Sequence, residues 1–401
     1  MTSSSPSSAR RGAVARACRA LVPAVLLLGL AGATGCGKDD GSSDYRDGLA
    51  AFASGDLAKA ERGFRGCLEA APSNVDALLM LARTEMQLGE FTRAHEAVSK
   101  AEALAGADPD VLELAGQVAY HLQDFDKARA AFSVLVKNAA FDDAVRSRGY
   151  AGLGVVEYAG IRPEGMDEAA ARARTAFLMA IRLDNRNAAA HYNLGRLYSD
   201  FLHYPAVARD EFALFTHLAP SDDPRVVHVR DNLMPELKAR LDEAIQGRRG
   251  GKPQNMRAAA DALQKAGAAM AKGQYKTAKG LYAQALAADA LSHSAAMGLA
   301  ACAEKEGTRA GLEEARRNYQ LASELRPSDA KALMALGDVA VRVGSPAVAE
   351  KAYSRAVAAA VGADKMTALR RLEATLRKNG KARVADVYRR YADDLAAARR
   401  R

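Results

Sequence analysis

Three six-residue strings constrain this chain more than anything else in it. Gly55-Asp56-Leu57-Ala58-Lys59-Ala60, Gly89-Glu90-Phe91-Thr92-Arg93-Ala94 and Gln123-Asp124-Phe125-Asp126-Lys127-Ala128 share one pattern and lie 34 residues apart. Four residues after each final alanine comes a large apolar side chain (Phe64, Val98, Phe132), and seven after it a further core residue (Cys67, Ala101, Leu135). Apolar positions at that spacing form one face of a helix. A unit of this length cannot bury its apolar face alone, so successive units must stack into an elongated helical array.

Composition agrees with an all-α reading. The chain is rich in alanine, has no Trp and carries few Pro inside the periodic stretches. Alanine is the best helix former. The later units keep the phase with insertions. Gly154 opens a fourth, with Ala173 and Phe177 in its second helix after a loop containing Ile161-Arg162-Pro163-Glu164-Gly165. His191 to Tyr198 open a fifth, which continues with Ala208 and Phe212 and ends at Pro220. Leu233, Leu237 and Leu241 then predict one amphipathic capping helix, kinked at Pro235. Gly247-Arg248-Arg249-Gly250-Gly251-Lys252-Pro253 reads as the clearest internal linker. Beyond it come Gly273, Tyr275, Ala278, Tyr282 and Ala285, then Ala315, Tyr319, Ala322 and Pro327, then Leu336, Gly337, Ala349, Tyr353 and Ala356.

A 34-residue helix–turn–helix unit with these residues resembles the tetratricopeptide repeat. In that family a small residue of the first helix (A) faces a small residue of the second (B), and Gly48 with Ala60, Ala82 with Ala94 and Gly116 with Ala128 fit those roles. The resemblance implies an all-α, right-handed superhelical solenoid of about eight repeats in two blocks. The expected layout is a leader over residues 1–35, a tether over 36–43, a first block of about five repeats over 44–220, and a capping helix and linker over 221–253. A second block of about three repeats covers 254–363, and a degenerate, charged last pair with a basic tail covers 364–401.

The first 35 residues read as a processing segment. Arg10, Arg11, Arg16 and Arg19 precede an apolar stretch from Ala20 to Ala33, which at fourteen residues is shorter than the roughly 20 needed to span a bilayer. Ala33-Thr34-Gly35-Cys36 follows and resembles the lipobox of bacterial lipoproteins, with Ala33 where that family usually has Leu. The resemblance implies lipidation of Cys36, which would become the mature N-terminus. Gly37 to Ser43 would form a polar tether reaching about 25 Å when extended. A plain secretory signal cleaved near Ala33, or an unprocessed cytoplasmic adaptor or regulator, are the alternatives.

The net charge of +9 is unevenly spread. Residues 365–401 hold twelve basic and four acidic side chains, and with the four leader arginines set aside the body over 36–364 is mildly acidic. A nucleic-acid partner would need a basic stripe along the array, so none is expected. Cys67 and Cys302 sit at helix core positions far apart in an elongated array, which argues against a disulfide. No Cys/His cluster suggests a metal, and no HExxH, GxSxG, P-loop or Rossmann signature is present. The expectation is a protein that is not an enzyme, without cofactor, metal or small-molecule substrate.

By the family resemblance, partner-binding side chains project from helix A into the concave groove and hold a protein or an extended peptide. Carried onto this sequence, the candidate groove residues are Tyr45, Phe52, Leu79, Arg83, Met86, Glu113, Tyr120, Tyr158, Tyr192 and Arg196. The second block offers Leu263, Met270, Met297 and Met334. Aromatic and Met side chains anchor peptides well. The combined expectation is a scaffold lipid-anchored in the bacterial cell envelope, at the periplasmic face of the outer membrane. Such lipoproteins resemble, in arrangement, pilotins of type IV pili and secretion pores and accessory factors of outer-membrane assembly.

Overall fold

The computed structural model describes residues 41–162, 166–249 and 255–398. The leader with Cys36, most of the tether, Pro163 to Gly165, Gly250 to Gln254 and the terminal arginines Arg399 to Arg401 lie outside the described residues. Everything regular that is described is helical, so the chain is an all-α solenoid. Helices follow in pairs: α1 (Ser42–Ala53) with α2 (Leu57–Ala70), α3 (Val75–Leu88) with α4 (Phe91–Ala105), and α5 (Pro109–His121) with α6 (Phe125–Lys137). Next come α7 (Asp143–Ala159) with α8 (Met166–Leu183) and α9 (Ala188–Asp200) with α10 (Pro205–Leu218).

A short α11 (Pro224–His228), a π-helical turn (Val229–Leu233) and α12 (Met234–Arg249) come next. The irregular turn lies just before Pro235, whose ring would meet the carbonyl four residues back and which has no N–H to donate. The capping helix is therefore broken upstream of the proline. Gly247, Arg248 and Arg249 form the last turn of α12, so helix extends into the segment expected to be linker. Four further pairs complete the chain: α13 (Met256–Ala271) with α14 (Tyr275–Ala288), α15 (His293–Lys305) with α16 (Arg309–Leu325), α17 (Ala330–Arg342) with α18 (Pro346–Ala359), and α19 (Gly362–Lys378) with α20 (Ala382–Ala398).

Two compact units result. Of the described residues, the first holds those up to Ile161 with Ala176–Asn193 and Leu214–Val229; the second holds those of Arg162–Thr175, Leu194–Ala213 and those from Arg230 onward. In each, the residues that carry the 34-residue pattern are core. Ala60, Phe64, Cys67, Ala94, Ala101, Ala128 and Leu135 are buried in the first unit, and Ala315, Ala322, Ala349 and Ala356 in the second. Both Cys67 and Cys302 are buried free thiols.

Caps explain where the helices begin. Asp56 and Asp124 accept hydrogen bonds from the Lys59 and Lys127 amides at 3.0 and 3.1 Å, and Asn74 from the Ala77 amide at 3.0 Å. Each satisfies an amide that the first helical turn leaves free. The tight turn between A and B puts one residue in the left-handed region: Gly55 at φ 80°, Gly89 at φ 82° and Gln123 at φ 62°. The third repeat uses a residue with a side chain there, and so does the fifth, at His203 with φ 54°.

The closest approach inside a pair is glycine against an aromatic ring. A Cβ on Gly48 would lie 2.8 Å from the Phe64 ring, on Gly195 2.8 Å from Phe212, and on Gly337 2.3 Å from Tyr353. Gly337→Ala is expected to lower the unfolding free energy by about 1–3 kcal/mol, the usual range for overpacking a tight core, as read by chemical denaturation. Gln123→Gly relieves a left-handed side chain and is expected to raise stability by about 1 kcal/mol in the same measurement; an unchanged or lower value would contradict the strain.

Candidate partner-binding face

The helix A face of the first unit carries most of the candidate groove residues. Tyr45 in α1 is half-buried, its ring 5.8 Å from that of Phe64, with Leu49 and Phe52 packed beside the same core. Burial raises the Tyr45 hydroxyl pKa, with Asp76 adding to the effect. Arg83 in α3 is half-buried and points one guanidinium nitrogen at the Met80 sulfur, 3.7 Å away. Glu113 in α5 is held on both oxygens. It accepts from Arg148 Nε at 2.6 Å and from Gln117 Nε2 at 3.1 Å, while Arg148 also reaches Asp110 at 3.1 Å. Burial nevertheless pushes the Glu113 carboxyl above its usual range, with Arg148 pulling the other way.

Tyr120, at the end of α5, is half-buried inside a small aromatic group. Its ring is 5.5 Å from His121, edge-on, and 5.9 Å from Phe125, while His121 stacks on Phe91 at 4.6 Å. Burial lowers the His121 pKa, so the imidazole is neutral near pH 7. Tyr158, near the end of α7, is also half-buried. These rings combine a fixed base with an accessible edge, which suits contact with an extended chain.

Other candidates are placed differently. Leu79 and Met86 are 5% and 6% exposed and belong to the core between α3 and its neighbours. Tyr192 is buried as well, 5.0 Å from the Phe215 ring, with the Arg225 guanidinium 5.5 Å from its centre. Arg225 in turn makes a fork with Asp223, at 3.0 and 2.5 Å. These three residues give cohesion rather than contact surface. Arg196, which falls in the second unit, is tied to Asp200 at 2.7 and 2.9 Å. Of the second-block candidates, Leu263, Met270 and Met297 pack against buried clusters. Met334 instead lines a shallow groove of about 310 Å³ with Lys331, Asp338, Asp364, Thr367 and Arg371.

Links between successive repeats escaped the sequence reading. Arg65 of α2 pairs with Glu85 of α3 at 2.6 Å, and Arg129 of α6 with Glu157 of α7 at 3.1 Å. In the second unit Glu304 takes the Tyr319 hydroxyl at 3.0 Å and Arg342 at 2.6 Å. Asp338 takes Tyr353 at 2.7 Å and Arg371 in the same way. Burial and the neighbouring carboxylate hold both tyrosines protonated far above the usual phenol range. The recurrence of acid, then Tyr fifteen residues on, was the available signal.

Among the described residues no group of His, Cys, Asp or Glu could hold a metal ion, and no helix is long and apolar enough to cross a membrane. Family models described as tetratricopeptide repeat match residues 51–118 and residues 263–311 and 308–364. The chain therefore contains tetratricopeptide repeats in both of its blocks. No curated protein matches it. Among solved structures, one titled for Pseudomonas aeruginosa PilF is 21% identical over 52% of this chain and 93% of that one, with a TM-score of 0.39. A MamA protein is 20% identical over 45% and 91%, TM-score 0.34, and yeast Tom70 15% identical over 85% and 90%, TM-score 0.28. Overlaps this loose say nothing about what this chain binds.

Proposed function

We propose that the chain is an exported scaffold, lipid-anchored through Cys36, that holds an extended segment of a partner protein against the helix A face of its first block. Tetratricopeptide repeats are in general protein-binding modules without catalytic activity. The observation that carries the choice of face is the set of half-buried aromatics Tyr45, Phe52, Tyr120 and Tyr158, the first three packed against the core yet partly open. Fixed aromatic edges give contact area with little side-chain entropy left to lose. Arg83, with one guanidinium nitrogen 3.7 Å from the Met80 sulfur, adds a half-buried cation for a carboxylate of the guest. In the second block Met334 lines a shallow groove beside Lys331, Asp338 and Arg371.

Anchoring is supported by the basic, apolar and small-residue succession that ends at Cys36, and by the polar stretch after it. Lipoprotein modification supplies more than one acyl chain, which stable anchoring requires. Gly37, rather than Asp, after the lipidated residue fits the periplasmic face of an outer membrane. A role there in assembling a secretion, pilus or outer-membrane complex follows as the working reading.

Two experiments separate the parts of this proposal. A photo-crosslinker at Tyr120 identifies the guest in cells, and the double variant Tyr120→Ala, Tyr158→Ala should then weaken that guest by about 2 kcal/mol, roughly thirtyfold, with its helical content unchanged. Wild-type affinity in that variant would remove this face from consideration. Radiolabelled palmitate should enter the wild-type chain and not Cys36→Ser; an unlabelled wild type points instead to a cytoplasmic adaptor.

A further inference from the structure

Within the second unit one contact joins helices far apart in the chain. Arg174, in the first half of α8, is fully buried. Its Nη1 donates to the Ser354 carbonyl at 3.1 Å and to the Ser354 hydroxyl at 2.9 Å, 180 residues away in α18. The guanidinium also sits 4.8 Å from the centre of the Tyr388 ring in α20. Tyr204 donates to the same Ser354 hydroxyl at 3.3 Å. At the rim, Lys381 bridges Asp167 at 2.6 Å and Glu350 at 2.8 Å.

This contact is poorly balanced. Arg174 Nε and Nη2 have no hydrogen-bond partner among the described residues, and neither has the buried hydroxyl of Tyr198 beside them. A guanidinium removed from water without a carboxylate is one of the most unfavourable arrangements in a protein interior. Two hydrogen bonds from one nitrogen and one ring face offset it only in part. Buried Tyr204, Val357, Ala385, Tyr388 and Tyr391 add apolar cohesion, and the Lys381–Asp167 pair, partly exposed, is open to salt screening.

We propose that the docking of α18 and α20 onto the parts of α8 to α10 in this unit is a releasable latch, kept releasable by the poorly paired charge of Arg174. Release returns the guanidinium to water and parts Lys381 from Asp167. Each repeat meanwhile keeps its own helix pair and its neighbours. The chain thus has a closed and an open form, and the open form exposes the Tyr204, Tyr388 and Arg174 faces.

Spin labels at Met166→Cys and Arg390→Cys, both exposed, placed in the full chain with its four native cysteines replaced, test this by pulsed electron paramagnetic resonance. The expected result is a short and a longer distance, the longer rising about threefold between about 0.05 M and about 0.5 M NaCl as the rim pair is screened. Arg174→Met, similar in length and uncharged, should shrink the longer population about tenfold, because an apolar replacement of a poorly paired buried charge favours the closed form. A single distance at every salt concentration, or a longer population that Arg174→Met leaves unchanged or raises, overturns the proposal. Should Arg174→Met fail to fold, the rim variant Lys381→Ala decides alone: a raised longer population supports the latch, and an unchanged one rejects it.

Discussion

The structure depends on how closely two helices of one repeat can cross. At Gly48, Gly116, Gly154, Gly195 and Gly337 the space a Cβ would take is filled by an aromatic ring of the paired helix: Phe64, Phe132, Phe177, Phe212 and Tyr353. Removing one methyl lets a ring lie flat on backbone, and each such ring buries enough apolar surface to contribute about 1.5–3 kcal/mol. The second repeat departs from this. It has Ala82 in helix A, and the facing helix B residue is the smaller Val98. In that repeat the extra methyl is offset by a smaller facing residue, as close packing favours, whereas Ala303 shares a buried cluster with Tyr319. Tyr282 shows the same device between repeats, packing on Gly298 of the following helix.

Once the crossing is fixed, the next repeat has little freedom left. Carboxylates of helix A, such as Glu85, Glu157, Glu304 and Asp338, each meet an arginine of an adjoining repeat. Half-exposed ion pairs contribute little to stability on average. Their service is geometric, since a two-ended link constrains the rotation of one pair on another. Glu304 and Asp338 also take a tyrosine hydroxyl from their own helix B, so a single acid reports both the crossing within a repeat and the stacking between repeats. That rigidity matters for a binding face, because Tyr45, Tyr120 and their neighbours keep one edge fixed in the core and one edge free.

Most of this was legible in sequence because the period exposes the phase. The residues four and seven after each repeated alanine are core, as the 34-residue comparison requires. Phase alone does not tell a residue at the edge of a helical stripe from one under it. Leu79, Met86 and Tyr192 share register with open positions yet are covered by neighbouring helices or, for Tyr192, by Arg225. Helix at Gly247 to Arg249 was hidden by glycine and arginine content that reads as loop. Arg174 was the least visible of all. It stands among alternating alanines and arginines on a helix, and the groups that bury it, Ser354 and Tyr388, lie about two hundred residues later in the chain.

That distance has a thermodynamic consequence. In an ideal solenoid every repeat interacts only with its neighbours, so stability is a sum of local terms and the ends fray independently of the middle. Within the second unit, Arg174 with Ser354, Tyr204 with Ser354 and Lys381 with Asp167 close loops of 180, 150 and 214 residues. Those contacts couple the last two repeats to helices of the fourth and fifth. Loop-closure entropy grows only slowly with length, so such a contact costs little more than a short-range one. A change at the last helix pair therefore acts on α8 to α10 of the same unit directly, without passing through each repeat between, and the array gains a cooperative element that stacking alone does not provide.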